Sequence, residues 1–210
     1  MLPKLYIVAD FETSGAASDS FDVYLDKVET CLAAGARLFQ MRAKTLSPKL
    51  QWELGREVAA LVGAYAGTLL VNDRVDLAFA VSADGAHLPA DGLPLTAARR
   101  IFEQQLIGVS CHSIDEALEA QTYRASFVTL SPVFESKSKP GRDGQGLNWL
   151  KECCDALELP VFALSGITPD NAAVCVGAGA YGVATMSVMS QEPNQIAETI
   201  DGLQRAVANP

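Results

Sequence analysis

Short apolar runs alternate eight times with helix-length amphipathic segments in this chain, and no other feature constrains its fold as much. Several of the runs, such as LYIVAD, LIGVSC and VFALSG, are apolar on both faces. A strand that is buried on both faces belongs to a parallel sheet covered by helices. The predicted strands are Leu5–Asp10, Arg37–Arg42, Leu69–Asn72, Gly85–Leu88, Leu106–Cys111, Phe127–Val133, Val161–Gly166 and Gly182–Ser187. The predicted helices are Phe21–Ala34, Pro48–Tyr65, Arg74–Val81, Leu95–Glu103, Ser113–Ala120, Leu147–Ala156, Pro169–Val176 and Pro193–Val207.

Strict alternation is compatible with an open doubly wound sheet or with a closed barrel, and the count of eight favours a (β/α)8 TIM barrel. No Pro-, Gly- or Ser-rich linker divides the 210 residues, so we predict a single domain over residues 1–210. Local signals agree, since Ser47-Pro48 resembles a helix start, and Ser113 with Glu116 resembles a capping box.

The composition limits the partners that such a chain can have. With 16 basic and 25 acidic residues its net charge is −9, which disfavours binding to nucleic acid or to an anionic membrane. The five cysteines are odd in number and form no C-x-x-C pair, so we predict reduced thiols and a cytoplasmic protein. An acidic protein can still bind small anions if its few basic residues converge on one pocket.

In a β/α barrel the chemistry lies beyond the C-terminal ends of the strands, and here nearly every predicted strand ends in polar groups. Arg42, Lys44 and Lys139 offer cations for phosphate oxygens, and Asp73 offers an oxygen ligand for Mg²⁺. Glycine and backbone N–H groups at the last two strand ends suit a second phosphate. The polar or small residues at these ends are Gln40, Arg42, Lys44, Asn72, Asp73, His87, Ser110, His112, Ser136, Ser138, Lys139, Gly166, Met186 and Ser187.

Each of these signals also has a simpler interpretation. Asn72 and Asp73 could cap the following helix, and a single cation after a strand is often only a solvated loop charge. His87 lies in an apolar strand end, which favours a packed, hydrogen-bonded core residue over a catalyst. The stretch from residue 135 to residue 146 could be a flexible loop or a lid over the site. The functional interpretation rests on the coincidence at many strand ends.

The residues at these ends resemble one known superfamily, that of thiamine phosphate synthase and its relative thiazole tautomerase. The resemblance covers nearly the whole chain and keeps the order and spacing of a barrel. The segments that carry it are Phe39–Lys44, Val71–Ala78, Asp84–Leu88, Gly108–Ser113, Ser131–Phe134, Ser136–Lys139 and Ala163–Asp170.

The resemblance implies a TIM barrel that joins hydroxymethylpyrimidine diphosphate to thiazole phosphate and releases pyrophosphate. In that family the carbon–oxygen bond to pyrophosphate is held to break first, so no strong protein base is required. Matching residue by residue, Gln40, Arg42, Lys44 and Asn72 would hold the diphosphate, and Asp73 would bind Mg²⁺. Ser110 would contact the pyrimidine. Ser136, Ser138 and Lys139 would contact the thiazole phosphate and the leaving group, and Gly166, Met186 and Ser187 would cradle the thiazole phosphate.

One departure from the synthase pattern concerns the metal. The family's usual stretch after the fourth strand is His-Leu-Gly-Gln-x-Asp, whose last residue is a second Mg²⁺ carboxylate, whereas this chain has His87-Leu-Pro-Ala-Asp-Gly92. Asp91 is the nearest substitute as a metal ligand. The tautomerase branch often has the His-Leu-Pro form and needs no metal, and there His112 would be the acid/base residue. Retention of the whole diphosphate set favours the synthase, while a tautomerase or a non-catalytic thiazole-phosphate binder stays open, as does a homo-oligomer.

Overall fold

The computed structural model describes residues 1–12, 14–15, 20–136 and 143–208. Its strands are β1 (Leu5–Asp10), β2 (Leu38–Arg42), β3 (Thr68–Asn72), β4 (Gly85–Leu88), β5 (Leu106–Cys111), β6 (Phe127–Leu130), β7 (Val161–Ala163) and β8 (Gly182–Thr185). Its helices are α1 (Asp22–Ala33), α2 (Pro48–Ala64), α3 (Val75–Ala80), α4 (Leu95–Ile101), α5 (Ile114–Thr122), α6 (Gly146–Ala156), α7 (Pro169–Gly177) and α8 (Pro193–Ala208), with a 3₁₀ turn at Ser187–Ser190 before α8.

The eight strands form a closed parallel barrel in sequence order, because β1 pairs with β2 on one side and with β8 on the other. Every neighbouring pair is parallel, so all eight strands end at the same mouth. The prediction of a (β/α)8 barrel is therefore confirmed.

Alternation along the strands separates two buried layers. One set of side chains, such as Ile7 and Phe39, packs outward against the helices in a large apolar core. The other set points into the barrel and fills its lower part. This inner floor consists of Tyr6, Leu38, Leu70, Phe127, Phe162 and Ala184. Above the floor the inward-facing side chains are polar, so the upper half of the barrel is the candidate site for binding a ligand.

The helix starts follow the predicted signals with one difference. Ser47 accepts a hydrogen bond from the backbone N–H of Leu50, and Ser113 accepts one from that of Glu116. The Glu116 carboxylate, however, accepts from the N–H of His112 at 2.6 Å, one residue before the N-cap. Only half of the predicted capping box forms, and its acidic member tethers the segment that carries His112 to α5.

Three strands end earlier than the sequence predicts, and the last of them, β8, ends at Thr185 instead of Ser187. β6 stops at Leu130, two residues before Pro132, which has no N–H to give to a sheet. β7 stops at Ala163, and Ser165 and Gly166 then have φ values of 85° and 67°. A left-handed backbone cannot continue a strand, so the chain turns there into the mouth. In the described part of the chain, no helix is both long and apolar enough to cross a membrane.

Candidate active site

The end of β2 carries Arg42, and two acidic residues from the neighbouring β1 hold it in place. Arg42 Nη1 forms an ion pair with the carboxylate of Asp10, its partner in the strand register, and lies 3.5 Å from Oε2 of Glu12. Glu12 Oε1 also accepts from the backbone N–H of Thr45 at 2.7 Å and from its hydroxyl at 2.9 Å. The loops after β1 and β2 are thereby tied together around the guanidinium group.

These carboxylates differ in their protonation behaviour. Burial raises the pKa of the Asp10 carboxyl to about 6, and the neighbouring Glu12 adds to this effect while Arg42 opposes it. Burial alone would also raise the pKa of Glu12, but its hydrogen bonds with Asp10 and Thr45 lower it to about 2. The sequence analysis missed both acids, although Asp10 satisfies its own criterion of a polar residue at a strand end.

Lys44, Asn72 and Asp73 line one cavity of about 290 Å³ between the ends of β2 and β3, together with Gln51 and Arg74. Asp73 has a φ of 63°, and its N–H donates to the carbonyl of His87 on β4 at 2.8 Å. The N-cap of α3 is Arg74, and no side chain caps that helix, so Asp73 is not the helix cap that the sequence allowed. The cation and the carboxylate expected to serve the diphosphate therefore face the same cavity.

The loop after β4 faces Asp73 without offering it a second carboxylate. A Cβ atom built on Gly92 would lie 2.9 Å from Oδ1 of Asp73 and 2.8 Å from the ring of Pro89. The side chain of Asp91 lies on the exposed surface. Among the residues that the structure describes, no cluster of three or more His, Cys, Asp or Glu side chains could hold a metal ion. Asp73 offers a carboxylate at this point, a donor suited to Mg²⁺ when phosphate oxygens and water complete the coordination.

Gln40 and His87 lie inside the barrel, below the mouth. Gln40 is 4% exposed, and its Nε2 donates to Oη of Tyr6 at 2.8 Å. His87 is 2% exposed, and burial lowers its pKa to about 3, so its imidazole is neutral at physiological pH. Nδ1 of His87 lies 3.1 Å from Oη of Tyr6, and Nε2 lies 2.9 Å from Oγ of Ser110. The prediction of a packed, hydrogen-bonded core histidine describes His87 well.

Ser110, which is half-buried, lines a second cavity of about 280 Å³. This cavity lies between the loop after β4 and helix α5, and Pro89, Gly92 and Tyr123 also contribute to its wall. Residues of α4 and α5 also line this cavity, so it lies on the helix side of β5, whereas the Ser110 hydroxyl contacts His87 inside the barrel.

His112, just beyond β5, is held by three neighbouring groups. Its Nδ1 lies 2.7 Å from the carbonyl oxygen of Ser131 and 3.3 Å from the Ser131 hydroxyl. Gln145 donates to the His112 carbonyl at 2.9 Å, and Glu116 accepts from its N–H. Because a carbonyl oxygen can only accept, Nδ1 carries a hydrogen, which in a neutral imidazole leaves the lone pair on Nε2.

The opposite side of the mouth is formed by the ends of β7 and β8. A Cβ on Gly166 would lie 2.5 Å from the carbonyl oxygen of Glu135, so only glycine fits there, and Asn171 Nδ2 donates to the Gly166 carbonyl at 2.9 Å. Met186 precedes the 3₁₀ turn that Ser187 begins, and Ser187 Oγ is 3.2 Å from the hydroxyl of Thr185. Ser136 is half-buried. Ser138, Lys139 and half of the predicted lid, residues 137–142, lie outside the described residues.

Comparison with known proteins agrees with this arrangement. The sequence model of the thiamine monophosphate synthase family matches residues 5–189. A thiamine-phosphate synthase of Roseiflexus castenholzii is 36% identical over 197 residues, which are 93% of this chain and 84% of that protein. A thiamine-phosphate synthase of Pyrococcus horikoshii is 32% identical over 205 residues, 97% of this chain and 94% of that protein. The solved structure of a thiamine phosphate pyrophosphorylase from Pyrococcus furiosus covers 98% of this chain and 95% of its own, with a TM-score of 0.85 at 30% identity. The chain therefore belongs to the thiamine monophosphate synthase family of enzymes, as its motifs predicted.

Proposed function

We propose that this chain joins hydroxymethylpyrimidine diphosphate to thiazole phosphate and releases pyrophosphate, with Mg²⁺ as its metal. The observation that carries the proposal is that Lys44, Asn72 and Asp73 line one cavity in a barrel of this family, whose strand β2 ends at Arg42. This is a set of groups for a diphosphate, and a carboxythiazole phosphate would not require it. The substrates would be small phosphorylated molecules, for which Arg42 at the end of β2 and Lys44 in the following loop supply positive charge.

Arg42 can bind a phosphate while it stays paired with its acids. Both of its carboxylate contacts use Nη1. The guanidinium group carries five N–H donors, so those on Nε and Nη2 are left for phosphate oxygens. Asp10 and Glu12 therefore orient Arg42 without blocking it, and Lys44 adds a second positive charge from the next loop.

The metal would be held by Asp73 together with oxygens of the diphosphate and water. Mg²⁺ is commonly bound by one or two carboxylates plus substrate phosphates, so a single carboxylate fits a metal that arrives with the diphosphate. When bound, Mg²⁺ would neutralise part of the charge on the departing pyrophosphate. We do not include Asp91 among the proposed metal ligands, since its side chain is exposed.

The protein's own contribution would be positioning and electrostatic stabilisation. Arg42 and Lys44 would stabilise the negative charge that builds up on the leaving group, and Ser110 would hold the pyrimidine. Gly166 and Ser187 would receive the thiazole phosphate on the far side of the mouth, which sets the two substrates facing each other. No side chain acts as a strong base in this scheme.

The decisive experiment incubates the protein with both substrates and Mg²⁺ and measures pyrophosphate release, with mass spectrometry of the product. We expect Asp73→Ala, or EDTA with the wild type, to abolish coupling. Asp155→Ala is the matched control, because it removes an exposed carboxylate paired with Lys151 on α6, and such surface pairs contribute little. Full activity in metal-free buffer would refute the proposed mechanism.

One observation favours a second candidate, the thiazole tautomerase. The Nδ1–H of His112 is fixed on the Ser131 carbonyl, which leaves Nε2 ready to move a proton, and Gly92 removes the second carboxylate. An assay with the thiazole tautomer alone separates the two functions. For a tautomerase, His112→Asn is expected to be inactive and Asp73→Ala active; for the synthase, Asp73→Ala fails in the coupling assay.

A further inference from the structure

Four polar side chains from four different strands form a hydrogen-bonded chain through the upper barrel. Gln40 Nε2 contacts Oη of Tyr6 at 2.8 Å, the same oxygen contacts Nδ1 of His87 at 3.1 Å, and Nε2 of His87 contacts Oγ of Ser110 at 2.9 Å. Tyr6, Gln40 and His87 are at most 4% exposed. In the described part of the chain, every buried side-chain nitrogen and oxygen has a partner, so this network is fully satisfied.

Counting the hydrogen-bond donors and acceptors shows which group donates at each contact of this network. The amide nitrogen of Gln40 can only donate, so Tyr6 Oη accepts from it. The buried Tyr6 hydroxyl must then give its own hydrogen to His87, the other group in contact with it. Nδ1 of His87 therefore holds a lone pair, and a neutral imidazole carries its hydrogen on Nε2, which donates to Ser110.

The imidazole ring is held in the position that this scheme requires. His87 is 2% exposed, and a ring that accepts from Tyr6 at Nδ1 carries its one hydrogen on Nε2. Space for the ring depends on Gly108, where a Cβ would lie 2.5 Å from Nδ1. The ring packs against Tyr6 and Phe127, with centroid distances of 5.6 and 5.7 Å. The contacts on both nitrogens are thus set by packing as well as by hydrogen bonds.

We infer that Tyr6 and His87 are positioning residues that commit the hydroxyl of the half-buried Ser110 to donate its hydrogen to a ligand at the mouth of the barrel. The Ser110 oxygen already accepts from His87, and its other neighbour, Thr129 Oγ1, lies 3.5 Å away, beyond the usual O–H···O range. The hydrogen of Ser110 then has no acceptor inside the barrel, so this point of the site favours a ligand atom with a free lone pair, such as an unprotonated ring nitrogen. That the ligand is the pyrimidine rests on the proposed function.

The chain has only two histidines, so the tautomer of His87 can be read directly. Long-range ¹H–¹⁵N spectra of the uniformly labelled protein at pH ~8, where an ordinary imidazole is neutral, separate the two tautomers. A His112→Gln variant assigns the signals. We expect the Nε2–H tautomer for His87 and the Nδ1–H tautomer for His112. An Nδ1–H tautomer of His87 would mean that the Gln40 amide is reversed and that Ser110 donates inward, which overturns the inference.

Substitution of Tyr6 tests the link between the buried residues and Ser110. In Tyr6→Phe, we expect His87 to lose its single tautomer, because no hydroxyl donates to Nδ1. Phe162→Leu is the matched control, since Phe162 packs 5.8 Å from the Tyr6 ring in the same floor but makes no hydrogen bond to His87. An unchanged His87 spectrum in Tyr6→Phe would contradict the inference.

The functional readout is the KM for each substrate. A hydrogen bond of ordinary strength corresponds to about a three- to tenfold change in affinity. We expect Tyr6→Phe and Ser110→Ala each to raise the KM for hydroxymethylpyrimidine diphosphate by about this factor and to leave the KM for thiazole phosphate unchanged. The double variant should be no worse than Ser110→Ala. Equal increases for both substrates would indicate a merely structural role. If the wild type makes no product, the proposed function fails. The tautomer measurement still decides which groups donate in the hydrogen-bond network from Gln40 to Ser110.

Discussion

Burial of the neutral His87 imidazole predicts a specific loss of stability in mild acid. Its pKa is lowered from 6.5 to about 3 in the folded protein, so below pH 6.5 the unfolded chain binds a proton that the folded chain does not. The free energy of unfolding then falls as the pH falls, by about 1.4 kcal/mol per pH unit. Between pH 6.5 and pH ~5 this amounts to about 2 kcal/mol, a large part of the roughly 5–15 kcal/mol that stabilises a typical domain.

Asp10 acts in the opposite direction and must be separated from His87. Because its pKa is raised to about 6, the folded protein binds a proton on Asp10 between about pH 6 and pH ~4 that the unfolded chain does not bind, so this residue adds stability as the pH falls. The pH dependence of the wild-type unfolding free energy is therefore the sum of two opposing contributions, one from His87 and one from Asp10. Comparison with a variant that lacks the imidazole isolates the histidine contribution.

The assay is urea unfolding of the wild type, His87→Gln and Ser110→Ala at several pH values from ~7.5 to ~5. We expect the difference between the wild type and His87→Gln to change by about 2 kcal/mol across the window, in the direction that disfavours the wild type at low pH. Ser110→Ala keeps the buried imidazole and should keep the wild-type slope, whatever its absolute stability. Parallel curves for the wild type and His87→Gln would refute the reasoning.

Two further predictions concern glycines. A Cβ at Gly108 would lie 2.4 Å from Cζ of Phe127, so Gly108→Ala should lower the free energy of unfolding by at least about 1–3 kcal/mol. On α2, a Cβ at Gly63 meets nothing within 4 Å, so Gly63→Ala should raise the free energy of unfolding by about 0.4–1 kcal/mol. Equal effects in urea unfolding would contradict this. Gly92→Asp places a second carboxylate against Asp73, so calorimetry should show tighter Mn²⁺ binding by the free protein, at some cost in the free energy of unfolding. An unchanged Mn²⁺ affinity would mean that a carboxylate at position 92 does not bind the metal.

Much of the candidate site was predictable because a β/α barrel converts sequence position into location. A residue at the end of a strand lies at the mouth, so the sequence alone assigns Lys44, Asn72 and Asp73 to one region. The same rule would have found Asp10, which ends β1, had the polar residue of the first strand been considered. Lys139 and Ser138 remain predictions.

Other features could not be predicted because they depend on which side chains meet across strands. The ion pair of Arg42 with Asp10 joins residues that are neighbours in the register of β1 and β2. The path from Tyr6 through His87 to Ser110 joins residues 81 and 23 positions apart. No local pattern marks such pairs, since contact there follows from strand stagger and from the space left by neighbouring rings.

The sequence by itself determined the architecture and the family. Strands that are apolar on both faces can be buried only under helices, and a count of eight favours a closed barrel, while the motifs at the strand ends identify the enzyme family. Tertiary structure alone decided how the polar groups are used. Closure of the barrel brought Asp10 onto Arg42, placed Gly92 against Asp73 and buried His87 between Tyr6 and Ser110. Burial and proximity set the pKa values and hydrogen-bond directions of these groups, and neither exists until the strands have closed.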